Sequence, residues 1–223
     1  VVFDNLHHQV NPPQVLKSEI EWIQDCKETW SGKDGNQKIH YSQQKEGAPA
    51  GAHSDTIDSK VFLEFYRQLP DQGIDIMLEV KDKNLSAVKC NNIVNSNHIM
   101  TNLRQEMKRY ELLLLSRSQV LYKQVRNIMQ KEEEGAVLPF YECIEKALSL
   151  PMNRDNEITA ALQIWEEYIQ KDGTNPEKKR FDKLLQEFKE GKGSIKPLKN
   201  HLLKCAVKRE IAYLMNSLYF YIG

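Results

Sequence analysis

No stretch of this 223-residue chain approaches the roughly 18 consecutive apolar residues that a membrane span requires. The run Leu112 to Leu115 is closed off by Glu111 and Arg117, and no secretory leader is visible. Cysteine is scarce as well. Cys26, Cys90, Cys143 and Cys205 stand far apart and form no CxxC pair, which argues against a zinc knuckle or a disulfide framework and favours a reducing, cytoplasmic setting. Net charge is zero, but the zero hides a division: residues 1–95 hold 10 Lys and Arg against 14 Asp and Glu, and the remainder 21 against 17. An acidic segment beside a basic one suits metal ligands next to an anionic partner. The chain also begins at Val1 within a strand-like run, so it reads as lacking an N-terminal portion.

What is present falls into two patterns, and 40% hydrophobic content is enough for a packed core. Residues 1–95 read as strand and helix in alternation. Val1 to Phe3 is the tail of a strand, and residues 15–29 form a helix with Val15, Leu16, Ile20, Trp22 and Ile23 inward, its start marked by Pro12 and Pro13. Residues 38–41 are a short strand, residues 59–68 a helix capped by Asp58 with Val61, Phe62, Phe65 and Leu69 inward, 74–80 a strand, and 85–94 a short helix. Alternation of this kind implies a parallel sheet whose working residues collect at the carboxyl ends of its strands. From about Asn97 only helical periods remain. A stripe through Met100, Leu103, Met107, Tyr110 and Leu114 continues to Ile128, followed by helices over 138–149, 156–171, one opened by Asn175 and Pro176 and stopped by Gly191, and 197–219. The expectation is a five-helix module.

The chemistry-bearing residues of the first segment follow its apolar runs: Asp4 and His7 after Val1-Val2-Phe3, His40 in Lys38-Ile39-His40-Tyr41, His53 and Asp55 in His53-Ser54-Asp55, and Glu79 after Ile76-Met77-Leu78. Oxygen and imidazole nitrogen at successive strand ends make a divalent metal site the leading hypothesis. Any one of these has a plainer reading, because Asp also caps helices and turns. Their recurrence at equivalent topological points carries the case. A carboxylate can bridge two divalent ions about 3.5 to 4 Å apart, and such clusters hydrolyse phosphodiesters. His8 would point away from His7 and pack or support a ligand; His98 and His201 read as ordinary helix residues.

Asp-x-x-His-His after a strand, Lys-x-His-Tyr-Ser on the next, then His-Ser-Asp, then Met-Leu-Glu-x-Lys-Asp-Lys resembles the second half of the UV damage endonucleases. The resemblance implies an α/β fold in which residues 1–95 are the C-terminal part of a (β/α)8 TIM barrel and residues 96–223 an all-α helical extension. It implies up to three divalent metal ions, manganese by preference, and nicking of UV-damaged double-stranded DNA immediately 5′ to the photoproduct. Carried onto this chain, it makes Asp4, His40 and Glu79 ligands of a central metal and His7 and His53 ligands of an outer one, with Glu79 and Lys38 catalytic. Lys38 matches a lysine carboxylated in some members; a plain amine beside cations would be repelled, and the alternative is a solvent-exposed strand residue. Asp55 becomes an outer ligand or, with His8, a support to the ligands, and Lys81 and Lys83 meet phosphate or lie on the surface. Further histidines and a bridging glutamate come from earlier strands in the family, so this chain is expected to hold part of the cluster.

The second segment is similar to a helical domain of unknown function through Trp165-x-x-Tyr168, Lys178 to Arg180, Tyr213-Leu214 and Tyr219-Phe220. Between Lys178 and Arg209 lie 11 basic residues against Asp182, Glu187 and Glu190, a phosphate-facing stripe or a solvated face. Two other functions are weighed. A TIM-barrel sugar isomerase or epimerase uses similar ligands but is disfavoured by the Lys-x-His-Tyr-Ser and Glu-x-Lys-Asp-Lys runs, and a non-catalytic reading makes the helical module a binding device. No membrane partner is expected, and the oligomeric state is open.

Overall fold

Strand parity organises the first segment of the computed structural model, which describes residues 1–95, 99–131, 133 and 135–222. Asn97 and His98, where the helical pattern was expected to begin, lie outside those residues. Strands β1 (Phe3–Asp4), β2 (Lys38–Tyr41) and β3 (Asp75–Leu78) run parallel in the order β1-β2-β3. Phe3 pairs with Ile39 and Ile39 with Ile76; Asp4 pairs with His40 and His40 with Met77. Because successive side chains alternate, Phe3, Ile39, Tyr41, Ile76 and Leu78 share one face. Asp4, Lys38, His40, Asp75 and Met77 share the other, where Met77 is 55% exposed.

The apolar face packs on helices. Tyr41 meets Phe62 edge-on at 5.4 Å and Phe65 at 4.6 Å between ring centroids, and Ile23, Ile39 and Ile57 are fully buried around them. Each such aromatic contributes on the order of 3–5 kcal/mol, judged by large-to-small truncations. Helix α1 (Asn5–Val10) follows β1 at once, with Asp4 Oδ1 capping the His7 amide at 2.9 Å. Helix α2 (Glu19–Lys27) begins later than the prolines imply. Ser18 and Glu21 form a reciprocal capping box, which satisfies the first amides and leaves Leu16 outside the helix at 94% exposure. Val15 is exposed too. Helix α3 (Ser59–Gln68) starts at its Asp58 cap, with Phe62, Phe65 and Leu69 inward but Val61 half-exposed, and α4 (Asn84–Val94) closes the segment.

Residues Val1–Asn97 and His98–Gly223 are two compact units. Among the described residues of the second, the regular elements are all helical: α5 (Ile99–Arg117), α6 (Gln119–Lys131), α7 (Val137–Ser149), α8 (Arg154–Ile164), α9 (Asn175–Lys189), α10 (Lys196–Lys208) and α11 (Ala212–Met215). A π-helical turn, Trp165–Ile169, extends α8 and stacks Trp165 on Phe181 at 4.5 Å. Two expected helices are divided. The Ser118 amide bonds to the Leu114 carbonyl while its Oγ accepts from Leu121, so one serine ends α5 and opens α6. Glu210, at φ 52°, ends α10 as a glycine would, with the Ile211 amide returning to the Ala206 carbonyl. Thr174, not Asn175, caps α9, and Gly191 at φ 74° stops it. Among the described residues no helix is long and apolar enough to cross a membrane.

Candidate metal centre

Asp4 ends β1, His40 sits one residue before the end of β2, and Glu79 directly follows β3, its amide bonded to the Tyr41 carbonyl at 2.9 Å. Parallel strands in register therefore deliver all three to the same end of the sheet. His53 comes from the loop after β2, where it bridges Gln44 in antiparallel fashion. His7 is carried by α1, one turn beyond Asp4.

These five side chains form one continuous series in which carboxylates and imidazoles alternate. His7 Nδ1 lies 3.0 Å from Asp4 Oδ2, which lies 3.6 Å from His40 Nδ1. His40 Nδ1 lies 2.9 Å from Glu79 Oε1, and Glu79 Oε2 lies 3.6 Å from His53 Nε2. Asp4, His40 and Glu79 each offer a ligand atom within 4.8 Å of the others. The set fits a divalent ion: two carboxylate oxygens and an imidazole nitrogen suit first-row cations such as manganese, iron or zinc. Glu79 presents a separate oxygen to each of two imidazoles. Asp4 is the least exposed of the five at 16% and His7 the most exposed at 72%, with His40, Glu79 and His53 partly exposed between them.

The remaining expected site residues stand elsewhere. His8 packs against Phe3 at 5.4 Å and Trp22 at 6.2 Å between ring centroids. Asp55 is exposed and bonds Lys45 at 2.6 Å and Lys81 at 3.2 Å; the Lys45 ammonium foremost, then Lys81, holds its carboxyl below the usual range. Lys38 is exposed on the polar face two residues before His40, in register with Asp75. Lys83 is exposed at φ 48°, just ahead of α4.

Several residues that sequence reasoning did not single out hold the series in place. Asn5 and Ser42, both buried, exchange two hydrogen bonds and tie α1 to the end of β2. Buried Lys89 of α4 donates to Thr56 Oγ1 at 3.0 Å and to the Ile57 carbonyl, and Ser86 Oγ accepts from the Ile57 amide. The Lys81 and Asp82 amides bond the Ser54 and Asp55 carbonyls, joining the His53 loop to the segment after Glu79. A cavity of about 640 Å³, lined by Asn5, Tyr41, Ser42, Glu64 and Gln68 among others, lies apart from the five ligand-type residues, none of which lines it.

Comparison with known proteins divides the chain at nearly the same place. Residues 1–110 match the family model described as UV-endonuclease UvdE, and residues 111–222 match one described as a protein of unknown function, DUF1722. A UV DNA damage endonuclease of Clostridium perfringens (strain 13 / Type A) is 36% identical over 155 residues, covering 68% of this chain and 36% of that protein. A putative UV-damage endonuclease of Acanthamoeba polyphaga mimivirus is 41% identical over 64 residues, 27% of this chain and 19% of that protein. The chain thus spans about a third of the length of the first relative and about a fifth of the second. The 155-residue alignment is longer than the 110-residue family match, so the likeness to the Clostridium protein runs on into the helical unit. No solved structure matches.

Proposed function

Because residues 1–110 place the chain in the UV damage endonuclease family, we propose that they form part of a metal-dependent DNA repair nuclease. It hydrolyses the phosphodiester 5′ to a UV photoproduct in double-stranded DNA. The observation that carries this reading is the unbroken series His7, Asp4, His40, Glu79, His53 at the carboxyl ends of parallel strands. Strands adjacent in chain order, with a polar face opposite the helix-covered one, also support a segment of a (β/α)8 barrel.

Asp4, His40 and Glu79 would hold a divalent ion, manganese by preference, with His7 and His53 at the flanks. Such an ion supplies a bound water of lowered pKa and positive charge against the charge developing on phosphate. The chain's own residues fix where that happens. Glu79 can serve two ions at once, and the Asn5–Ser42 bonds hold Asp4 and His7 against His40. Lys38 lies on the same face as His40; carboxylation of its amine would exchange a cation for an anionic oxygen donor. Lys83 is the better placed of the two loop lysines for phosphate, since Lys81 is already engaged by Asp55.

The test has two arms. Manganese titration followed by electron paramagnetic resonance reads the metal site, and nicking of UV-irradiated against unirradiated supercoiled plasmid reads the activity. We expect manganese to bind and the H40A/E79Q pair to abolish it. Unaltered manganese binding in that variant removes the assigned site, and incision indifferent to irradiation removes the repair function.

A further inference from the structure

Helices α9 and α10 of the second unit enclose an open groove of about 390 Å³. Arg180 of α9 lines one side. Lys196, Asn200 and Lys204 of α10, with Ser194 ahead of it and His201 beside it, line the other. Every lining side chain except that of Pro197 can donate a hydrogen bond, and no carboxylate lines the groove. Among the described residues none of the three cations is within ion-pairing distance of an acid, nor are Lys178, Lys179 and Lys189 of α9, whereas Lys183, Lys192, Lys199, Lys208 and Arg209 are. Glu177, the nearby acid at the start of α9, is already taken by Lys208 and Arg209, and Asp182 is two residues from Arg180, on another side of the helix. His201 is anchored by Nε2 donating to the Glu177 carbonyl at 2.9 Å. The N-terminus of α10 has no side-chain cap, so its free amides add to the positive potential.

Three like charges gathered without counter-charge repel one another unless an anion lies between them. The shape indicates which anion. Lys196, Asn200 and Lys204 recur every four residues, an inclined stripe whose ends are about 12 Å apart along the helix axis at 1.5 Å per residue. That is too long for one phosphate ion and suits a polymer of phosphates, which carries one charge per about 3.4 Å along each DNA strand. We propose that this groove binds the phosphodiester backbone of a nucleic-acid strand through Arg180, Lys196 and Lys204. The assignment does not rest on the nuclease reading of the first unit.

The experiment measures binding of the whole chain to a fluorescent DNA duplex and an RNA duplex by anisotropy, with a chelator present, from low to moderate salt. The variant R180Q/K196Q/K204Q alters exposed side chains only, and circular dichroism verifies its fold. It should lose at least about tenfold in affinity, and the slope of log K against log salt should flatten by roughly 2 to 3, near 0.9 per phosphate released. The variant K123Q/K146Q/K171Q carries the same net charge and should bind as the parent does. Loss on either duplex supports the groove and identifies which backbone it takes. Parent-like affinity and slope in the first variant, an equal loss in the second, or binding to phosphatidylglycerol vesicles in place of both duplexes overturns it.

Discussion

Asn5 and Ser42, 37 residues apart, are joined by two reciprocal hydrogen bonds: Asn5 Nδ2 donates to the Ser42 carbonyl at 2.9 Å, and the Ser42 amide donates to Asn5 Oδ1 at 2.8 Å. Asn5 follows Asp4, and Ser42 lies two residues beyond His40. The pair therefore fixes the spacing of the first two ligand-bearing strands at the point where the ligands sit. Replacing Asn5 by alanine orphans a buried amide and a buried carbonyl together, which should cost on the order of 2–4 kcal/mol. Urea denaturation checks this, and manganese affinity should fall with it. A parent-like midpoint and affinity would mean that α1 is held by other contacts.

Glu79→Gln keeps the size of the side chain but removes one of the two carboxylates proposed to hold the ion. Manganese affinity should drop by at least about tenfold, or about 1.4 kcal/mol, with little change in stability because the site is open to water. Isothermal titration of both proteins gives the comparison. Equal affinities would remove Glu79 from the coordination set.

Asp55 lies two residues beyond His53, yet its carboxylate is shared between Lys45 and Lys81. These two ion pairs clamp the loop, exposed pairs of this kind contribute little, and we propose that Asp55 takes no part in holding the ion. Asp55→Asn should therefore leave manganese affinity within about twofold of the parent. A loss matching that of Glu79→Gln would make Asp55 a ligand after all.

The difference between Glu79 and Asp55 shows which parts of the site were legible in the sequence. Glu79, His40 and Asp4 could be read because a parallel strand brings its carboxyl end to a fixed place, so position in the strand implies position in space. The cap at Asp58 and the stop at Gly191 were legible for a similar reason, each being local chemistry. Asp55 has the ligand chemistry but sits in a loop whose direction is set by Lys45, Lys81 and buried Lys89, partners that no local period reveals. The breaks at Ser118 and Glu210 escaped because neither residue is glycine or proline, and both use backbone bonds that the sequence does not announce.

In the helical unit, Glu177 closes the capping box of α9 with Thr174 and accepts from Arg209 at 2.6 Å and Lys208 at 3.0 Å. The Arg209 guanidinium foremost, then the Thr174 amide, holds its carboxyl far below the ordinary carboxylate value of 4.5. A depressed folded pKa contributes stability that is fully present above the unfolded value and is lost as pH falls through the folded one. Glu177→Gln should destabilise the unit by about 1–3 kcal/mol at pH 7. The gap between parent and variant should narrow progressively below pH 4.5. A gap unchanged down to pH 2 would mean that the carboxylate charge is not what holds α9 and α10 together.

Lys199 and Glu157 form a buried ion pair at 3.1 Å, with the Lys199 ammonium 4.0 Å from the centre of the Tyr219 ring. Burial holds the lysine pKa below its ordinary value, and Glu157 offsets part of that shift. Removing either member alone strands the other in a medium that cannot solvate it, a loss of about 3–5 kcal/mol in comparable pairs. Replacing both by apolar residues of similar volume abolishes both desolvation costs and is often neutral or stabilising. Lys199→Met and Glu157→Leu should each lower the denaturation midpoint strongly, while the K199M/E157L double variant should recover most of the loss. Additive losses would show that the two side chains act separately, with their worth lying in packing or in the Tyr219 ring contact and not in their mutual charge.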